Sequence, residues 1–222
     1  MQHSADEIST WSTNNQLGIN TTKTKEMLIY FGTKPSVDPL VMNGESIERV
    51  KQSKLLGVII SDDLKWNAHI NAVIKKASKR IYYLRCLKRA GLNTMELKTI
   101  YMSLIRSVCE YACPVWSTGL TSELSDMLES IQRRALRVIL PSITYELACD
   151  RLELPYLADR RKELCKTFFE QMKDPSHKLN DLLPPKRSNT YNFRRTATYP
   201  LPKCQTSRYK NSFVPWCLFN CQ

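Results

Sequence analysis

The chain has 222 residues, with 33 Lys and Arg against 21 Asp and Glu, for a formal net charge of +12. The length fits one large domain or two small ones, and 42% hydrophobic residues is typical of a chain that folds. Only 6 glycines and 11 prolines exclude a collagen-like or low-complexity protein. No apolar run approaches the roughly 20 residues of a membrane-spanning helix, and residues 1–7 lack a secretory pattern. We therefore expect an intracellular protein, cytoplasmic or nuclear, that does not engage a membrane.

Cysteine and histidine spacing gives no sign of a metal centre. The eight cysteines include no Cys-x-x-Cys pair, and the three histidines form no pair at zinc-finger spacing. Without a secretory signal, reduced thiols are the default. We therefore expect free cysteines, no metal ion and no cofactor.

Positive charge is concentrated in two stretches that contain no acidic residue. The first runs between Asp63 and Glu96, and the second follows Asp181 and contains interleaved aromatic residues. Basic residues in the first stretch are Lys65, Lys75, Lys76, Lys79, Arg80, Arg85, Lys88 and Arg89. Stretches of one sign typically face a polyanion, because basic groups displace the counterions condensed on phosphates. Nucleic acid is thus the expected partner, and a solvated basic face without a partner is the alternative.

The first 61 residues are predicted to contain the end of a helix and then β structure. Residues 1–20 fit the end of a helix without a clear beginning, which leads us to expect a piece of a longer chain. The apolar run 26–31 predicts a short strand, and Asn43-Gly44 predicts a tight hairpin. Residues 55–60 predict a buried strand that contains Gly57.

Three amphipathic helices are predicted over residues 65–140. The first has an apolar stripe at helical spacing, with Lys75, Lys79 and Arg89 pointing away from it and Gly91 as its stop. Its stripe consists of Trp66, Ile70, Val73, Ala77, Ile81 and Leu84. The second opens with a capping box at Asn93 and ends near Pro114. The stripe of this second helix is Leu97, Ile100, Tyr101, Leu104, Ile105, Val108, Tyr111 and Ala112.

The third predicted helix carries a basic cluster and ends before Pro141. That cluster consists of Arg133, Arg134 and Arg137. Three such helices with short links suggest an antiparallel bundle. Residues 143–152 and 157–172 predict shorter helices, and the chain beyond Pro184-Pro185 predicts an extended, partly disordered basic tail.

The expected fold class is therefore α+β and mainly α, with short antiparallel hairpins, then a helical bundle, then an irregular basic tail. We expect segments 1–63, 64–141, 142–183 and 184–222.

Five sequence blocks, in order, resemble the reverse transcriptases of non-LTR retrotransposons of the LINE, jockey and CR1 type. They follow the family patterns N-x-x-K-T, L-G-V, Y-A-x-P-V-W, I-Q-x-x-A-L-R and a C-terminal R-x-K/x-S-F-x-P. In this sequence they lie at 20–27, 54–58 with 63–70, 111–116, 131–137 and 208–215. Each block alone is weak, but their order and spacing match the family. The resemblance implies the end of a palm (1–63), a thumb (64–141) and a natural C-terminal tail.

The catalytic Tyr-x-Asp-Asp that the family carries upstream is absent from this sequence. Nucleotidyl transfer needs carboxylates that hold two metal ions, and Asp62-Asp63 lies in the wrong place, where a turn or cap is expected. We therefore expect a truncated RNA-directed DNA polymerase that is not an enzyme as this chain. We still expect the chain to bind an RNA/DNA duplex or hybrid. We do not expect it to have a small-molecule substrate.

The resemblance and the charge pattern together indicate candidate binding residues. Lys23 aligns with a lysine after the family's catalytic hairpin, although a plain surface lysine is the alternative. Leu56 and Gly57 align with the primer grip, where a buried strand is the alternative. Candidate nucleic-acid contacts are Lys23, Lys75, Lys79, Arg80, Arg89, Arg133, Arg134 and Arg137. Trp66, Tyr101, Tyr111 and Trp116 are expected in the core.

Two further hypotheses remain open. Residues 22–49 also look like a segment found beside AlkB-homologue dioxygenase and methyltransferase domains of tRNA-modifying enzymes. An iron dioxygenase binds its metal through a His-x-Asp motif and a distant His. In this sequence the residue two positions after His69 is Asn71 and not Asp, so we do not expect dioxygenase activity. The other hypothesis is a folded remnant without a function.

Overall fold

The computed structural model describes residues 1–33, 35–187 and 198–221. It is 55% helix and 8% strand, which confirms the mainly helical α+β class. The chain divides into two compact units, Met1–His69 and Ile70–Gln222. The finer division into four segments stays a prediction. None of the helices in the described part of the chain has the length and apolar character needed to cross a membrane.

The described residues of the first unit form one complete helix and six short strands. Helix α1 spans Gln2–Asn14, which confirms the predicted helix and its end near Asn15. The strands are β1 Lys25–Glu26, β2 Val41–Met42, β3 Glu45–Ser46, β4 Glu48–Arg49, β5 Gln52–Leu55 and β6 Val58–Ser61. Strands β2 and β3 pair antiparallel, as do β5 and β6, whereas β1 and β4 pair parallel. The hairpins are thus confirmed, and the parallel pair was not expected.

The β2–β3 turn confirms the hairpin predicted from Asn43-Gly44. Both residues have positive φ, 52° for Asn43 and 78° for Gly44. A two-residue turn of this kind requires positive φ at both positions, and its backbone twist then matches that of the strands. Ala5, Met42 and Ile47 form the buried cluster beside this hairpin.

The strand predicted over residues 26–31 is wrong beyond Glu26. Ile29 and Phe31 are exposed, and no described strand pairs with residues 27–31. Apolar residues favour a strand only where a neighbouring strand and a core are available to receive them. Glu26 itself is buried, and its carboxylate accepts a hydrogen bond from the Arg49 guanidinium at 2.9 Å.

The buried strand predicted over residues 55–60 is also wrong, because the chain reverses within it. Leu56 and Gly57 connect β5 to β6, with φ of 46° and 88°. Gly57 marks the second position of a tight turn instead of a bulge. Leu56 is 85% exposed at the tip of this hairpin.

Helix α2 spans Asn67–Arg89, with all but its first three residues in the second unit, and confirms the first predicted stripe. Ile70, Val73, Ala77, Ile81 and Leu84 are all buried, and Trp66, just before the helix, is half-buried.

The end of α2 is a Schellman motif. The Leu92 N–H donates to the Leu87 carbonyl at 3.3 Å, the Gly91 N–H donates to Lys88, and Gly91 has φ of 91°. Gly91 thus ends α2 as predicted.

The second predicted helix begins as expected but is not regular. It consists of α3 Thr94–Ile100, a π-helical segment Tyr101–Arg106, and α4 Ser107–Glu110. The Asn93 side chain accepts from the Glu96 N–H, and the Glu96 carboxylate accepts from the Asn93 N–H, which confirms the capping box.

The wider turns of the π-helical segment shift the buried face. Buried apolar residues follow at intervals of four, at Leu97, Tyr101, Ile105 and Cys109, and this leaves Leu104 exposed although the predicted stripe included it.

Beyond the second helix, the chain turns at Ala112, which has φ of 51°, into α5 Cys113–Trp116. Trp116 and Tyr101 are buried as predicted. Tyr111 is 54% exposed, so its assignment to the core is wrong. It precedes the left-handed residue Ala112, which ends the helical face that would have buried it.

Helices α6 Ser122–Ile139, α7 Tyr145–Arg151 and α8 Leu157–Met172 match the predicted helices closely. Two short helices follow, α9 Ser207–Lys210 and α10 Phe213–Asn220. The prediction of an irregular tail is therefore wrong where α9 and α10 form, whereas residues 198–206 contain no helix or strand and 188–197 lie outside the described residues. Tyr199, Cys217 and Leu218 are buried in a cluster with Phe169 of α8. Because α10 is apolar on nearly all sides, it lacks the periodic pattern that identifies a helix.

Candidate nucleic-acid interface

The outward face of α2 is basic and contains no acidic residue. Lys75, Lys79 and Arg89 are exposed along it, and Lys76 and Arg85 are exposed at its borders. Among the described residues, no Asp or Glu forms an ion pair with a Lys or Arg of α2. These charges are therefore not neutralised within the described structure, and their potential extends into solvent.

Arg80 lies at the edge of this face and is committed to the fold. Its guanidinium donates a hydrogen bond to the Leu104 carbonyl in the π-helical segment. This contact ties α2 to the next helix, and Arg80 is half-buried. To bind a phosphate, Arg80 would have to break this hydrogen bond or use the other N–H groups of its guanidinium.

The predicted basic cluster of α6 lies beside α2. The Arg134 guanidinium donates to the Ser78 hydroxyl at 3.2 Å, and Arg133 stacks over the Tyr145 ring at 5.0 Å. Arg137 is exposed. Lys88 also links the two helices, because its ammonium donates to the Ile139 carbonyl at the end of α6, 3.3 Å away. The structure thus brings Arg134 to the border of the α2 face.

Two exposed tyrosines on α2 were missed by the sequence analysis. Tyr82 is 62% exposed and Tyr83 is 59% exposed, and their ring centroids lie 6.0 Å apart in an edge-to-face arrangement. A hydrogen bond with Cys86, one turn further along, raises the pKa of Tyr82. Their position in the sequence could have identified them, because both tyrosines lie off the apolar stripe and within a stretch that contains no acidic residue.

The other two candidate sites lie in the first unit. Lys23 is exposed in a turn that Asn20 stabilises, since the Asn20 side-chain oxygen accepts from the Lys23 N–H at 3.0 Å. Leu56 and Gly57 form the β5–β6 turn described above. Both sites are accessible at the surface of their own unit.

Two of the recognised sequence blocks serve the fold. Gln132 is fully buried in α6, where its side chain accepts from the Tyr101 hydroxyl at 2.6 Å and donates to the Pro155 carbonyl at 2.9 Å. The Trp116 indole N–H donates to the Tyr111 carbonyl at 3.0 Å across the turn that precedes α5. Residue types at these positions follow from packing and need no ligand.

The basic run at the start of α8 also serves the fold. Arg161 is 2% exposed and donates to the Ser125 hydroxyl at 2.8 Å, and burial lowers its pKa. Arg160 pairs with Glu163 at 2.8 Å, and Lys162 pairs with Asp159 at 2.9 Å. Arg160 and Lys162 are therefore paired with acidic residues of their own helix, unlike the basic residues of α2, and Arg161 is buried and does not reach the surface.

The buried thiols near Arg161 do not form a metal centre. Burial raises the pKa of Cys109 to about 12, while a hydrogen bond with Cys165 lowers the pKa of Cys113. Within the described ranges, no three His, Cys, Asp or Glu side chains are placed to hold a metal ion together.

Comparison with known proteins gives two likenesses. Residues 66–107 match the family model described as "Alkylated DNA repair protein alkB homolog 8, N-terminal". The match covers α2, α3 and the π-helical segment. The AlkB-like segment was expected at residues 22–49, and that position is wrong.

The second likeness is to a curated protein of Drosophila melanogaster, "Probable RNA-directed DNA polymerase from transposon BS". The two are 23% identical over 142 residues, which is 63% of this chain and 16% of that protein. No solved structure matches the chain. The chain is therefore distantly similar to a transposon RNA-directed DNA polymerase, and it spans only a small part of that relative's length.

Proposed function

We propose that this chain is the thumb-containing part of a non-LTR retrotransposon reverse transcriptase, and that it binds RNA–DNA hybrid or duplex through the outward face of α2. As this chain it does not polymerise, since the sequence contains no Tyr-x-Asp-Asp to hold catalytic metal ions. The observation that carries the binding proposal is the exposed, acid-free face of α2. The distant likeness to the transposon polymerase supports the choice of nucleic acid as the polyanion.

The dimensions of the face fit several phosphates. Lys75 and Arg89 are 14 positions apart, which corresponds to about 21 Å along an α-helix. Lys79 lies between them, and Arg137 of α6 is exposed as well. With about four phosphate contacts, the slope of log K against log salt concentration is expected near −3 to −4.

The test is a titration of labelled RNA–DNA hybrid at several salt concentrations, followed by fluorescence anisotropy. A Lys75→Gln, Lys79→Gln, Arg89→Gln variant is expected to reduce the magnitude of the slope by about 2.7, because each lost phosphate contact removes about 0.9.

The matched control changes Lys162, Lys166 and Lys178, which are also exposed, to Gln. It removes the same net charge and is expected to keep the wild-type slope. Equal slopes for both variants would show that binding depends on net charge and not on the α2 face, and no binding at all would favour the remnant without a function.

The family match over residues 66–107 favours a second candidate, because it falls on the same α2 face. In this alternative the segment is an accessory nucleic-acid-binding part of an AlkB-homologue tRNA-modifying enzyme without its catalytic domain. Competition separates the two candidates. The reverse-transcriptase proposal expects RNA–DNA hybrid to displace bound probe better than folded tRNA, and the alternative expects the reverse order.

A further inference from the structure

We propose that Tyr82 and Tyr83 form a base-stacking site, so that the α2 face binds unpaired nucleotides in addition to the phosphate backbone. This inference rests on the proposed function, since it takes the same face to be the one that contacts nucleic acid. It adds a ligand class, namely single-stranded segments such as the overhang of a hybrid.

The position of the two rings supports this assignment. Both tyrosines are more than half exposed, at 62% and 59%. Tyr83 follows Lys79 by four positions, and Arg89 follows Tyr82 by seven, so all four side chains share the outward side of the helix. Cations therefore lie on both sides of the rings along the axis, as a strand with phosphates on both sides of a stacked base requires.

The fold does not need these rings. Tyr101, which packs in the core, is 1% exposed, whereas Tyr82 and Tyr83 are more than half exposed and lie 6.0 Å apart between ring centroids. Their edge-to-face arrangement, with 68° between the ring planes, presents ring faces in different directions. A nucleobase can stack on either face, because every base has a π-surface of similar size.

The charges beside the rings favour a single nucleic-acid strand over an apolar protein surface as the ligand. A protein partner that buried both rings would also have to cover Lys79 and Arg89, or supply carboxylates to pair with them. A single strand supplies both requirements at once, since its bases are apolar on their faces and its phosphates are anionic. In a duplex the bases are already stacked on one another, so only the phosphates remain for this face.

The experiment uses the full chain and three probes of equal length: an oligo(dT) strand, the same strand with abasic sites throughout, and a duplex. Wild-type protein is expected to bind oligo(dT) about 5- to 100-fold more tightly than the abasic strand, which is the range for stacking of one base. A Tyr82→Ala, Tyr83→Ala variant is expected to lose this difference and to bind the abasic strand and the duplex as wild-type protein does.

Two further variants complete the design. Tyr82→Phe, Tyr83→Phe keeps both rings and is expected to keep the preference for oligo(dT). Tyr209→Ala removes an exposed tyrosine outside α2 and is expected to change nothing. Far-UV circular dichroism confirms that each variant is folded, as expected for changes at exposed positions.

Each contrary result has a distinct meaning. Equal affinity for oligo(dT) and the abasic strand, or no effect of the alanine variant, would overturn the stacking site. The proposed function would still be supported in that case if the duplex bound in a salt-dependent way. Loss of the preference in the phenylalanine variant would also overturn it, because the hydroxyl groups would then be responsible. Failure of every probe to bind would overturn both proposals.

Discussion

Gln132 lies at the centre of a buried polar network, and its substitution is expected to destabilise the second unit strongly. The side chain joins three segments, because it accepts from Tyr101 at the start of the π-helical segment and donates to Pro155 ahead of α8. Gln132→Leu keeps a similar volume but leaves the Tyr101 hydroxyl and the Pro155 carbonyl without this partner. Tyr101 is 1% exposed and Gln132 is fully buried, so water does not replace their bond, whereas the bond to the Pro155 carbonyl is only partly buried.

The magnitude follows from counting buried groups that lose their partner. Each costs about 1–2 kcal/mol of unfolding free energy in such a site. Gln132→Leu affects one buried and one partly buried group and is expected to cost about 2–3 kcal/mol, whereas Tyr101→Phe affects one buried group and is expected to cost about 1–2 kcal/mol. In the double variant only the Pro155 carbonyl is left, at about 1 kcal/mol, so its cost should fall short of the sum by about 2–4 kcal/mol.

Urea denaturation of the four proteins, followed by far-UV circular dichroism, measures this coupling as a double-mutant cycle. Additive costs would refute the reasoning, because they would show that Tyr101 and Gln132 do not depend on each other. Binding provides a second readout. The salt slope for hybrid should be unchanged in folded Gln132→Leu, since this residue supports the helices and does not reach the surface.

Three further changes test other parts of the structure by urea denaturation and proteolysis. The hydrogen bond from Arg49 lowers the pKa of Glu26 below its ordinary 4.5. The ionised carboxylate therefore stabilises the fold fully above pH 4.5, and this stabilisation is lost as the pH falls through the lowered pKa. Glu26→Gln should be less stable than wild type at neutral pH and equally stable in acid. Asn93→Ala should cost about 1 kcal/mol by removing the cap of α3, while Glu96→Gln should cost less because Gln also completes a capping box. Phe169→Ala should cost about 3–5 kcal/mol and expose α10 to limited proteolysis.

The helices of the second unit were predictable because their signals are local. Helix α2 shows both a regular apolar stripe and a glycine stop, and the residues around Asn93 form a cap that depends only on neighbours in sequence. The predicted range 157–172 coincides with α8. The π-helical segment was not predictable in this way, because the helical pattern of apolar residues continues through it.

The first unit and the C-terminal residues were harder to predict because non-local contacts decide them. Residues 27–31 have strand-forming side chains but no partner strand, and only β1, which ends at Glu26, pairs in parallel with β4, 23 positions away. Helix α10 is stabilised by packing against Phe169, a contact that no local pattern in residues 213–220 indicates.

The candidate site was predictable as a charge pattern but not in detail. An acid-free stretch on an amphipathic helix was enough to place Lys75 and Lys79 on its outer face. Sequence alone could not show that Arg80 and Arg134 donate to groups on neighbouring helices, because those contacts depend on how the helices pack. Tyr82 and Tyr83 were missed because aromatic residues were sought on the apolar stripe.

Leu56 occupies a position where its backbone conformation is unfavourable. Its φ of 46° lies in the left-handed region, which costs a residue with a Cβ about 1–2 kcal/mol, and Asn or Gly is preferred at the first position of this turn. Leu56→Asn is therefore expected to raise the unfolding free energy of the first unit by about 1 kcal/mol. Neighbouring Leu55 is 60% exposed but lies in β5, so Leu55→Asn removes the same apolar surface without relieving a turn.

Binding distinguishes a structural from a functional reason for this leucine. If the hairpin tip contacts nucleic acid as a primer grip does, Leu56→Asn should be more stable than wild type in urea and should bind RNA–DNA hybrid more weakly. A variant that gains stability and keeps its affinity would exclude a role for the Leu56 side chain in binding, and one that loses stability would contradict the conformational argument. Strain at an exposed apolar residue has a functional explanation only when its relief weakens binding.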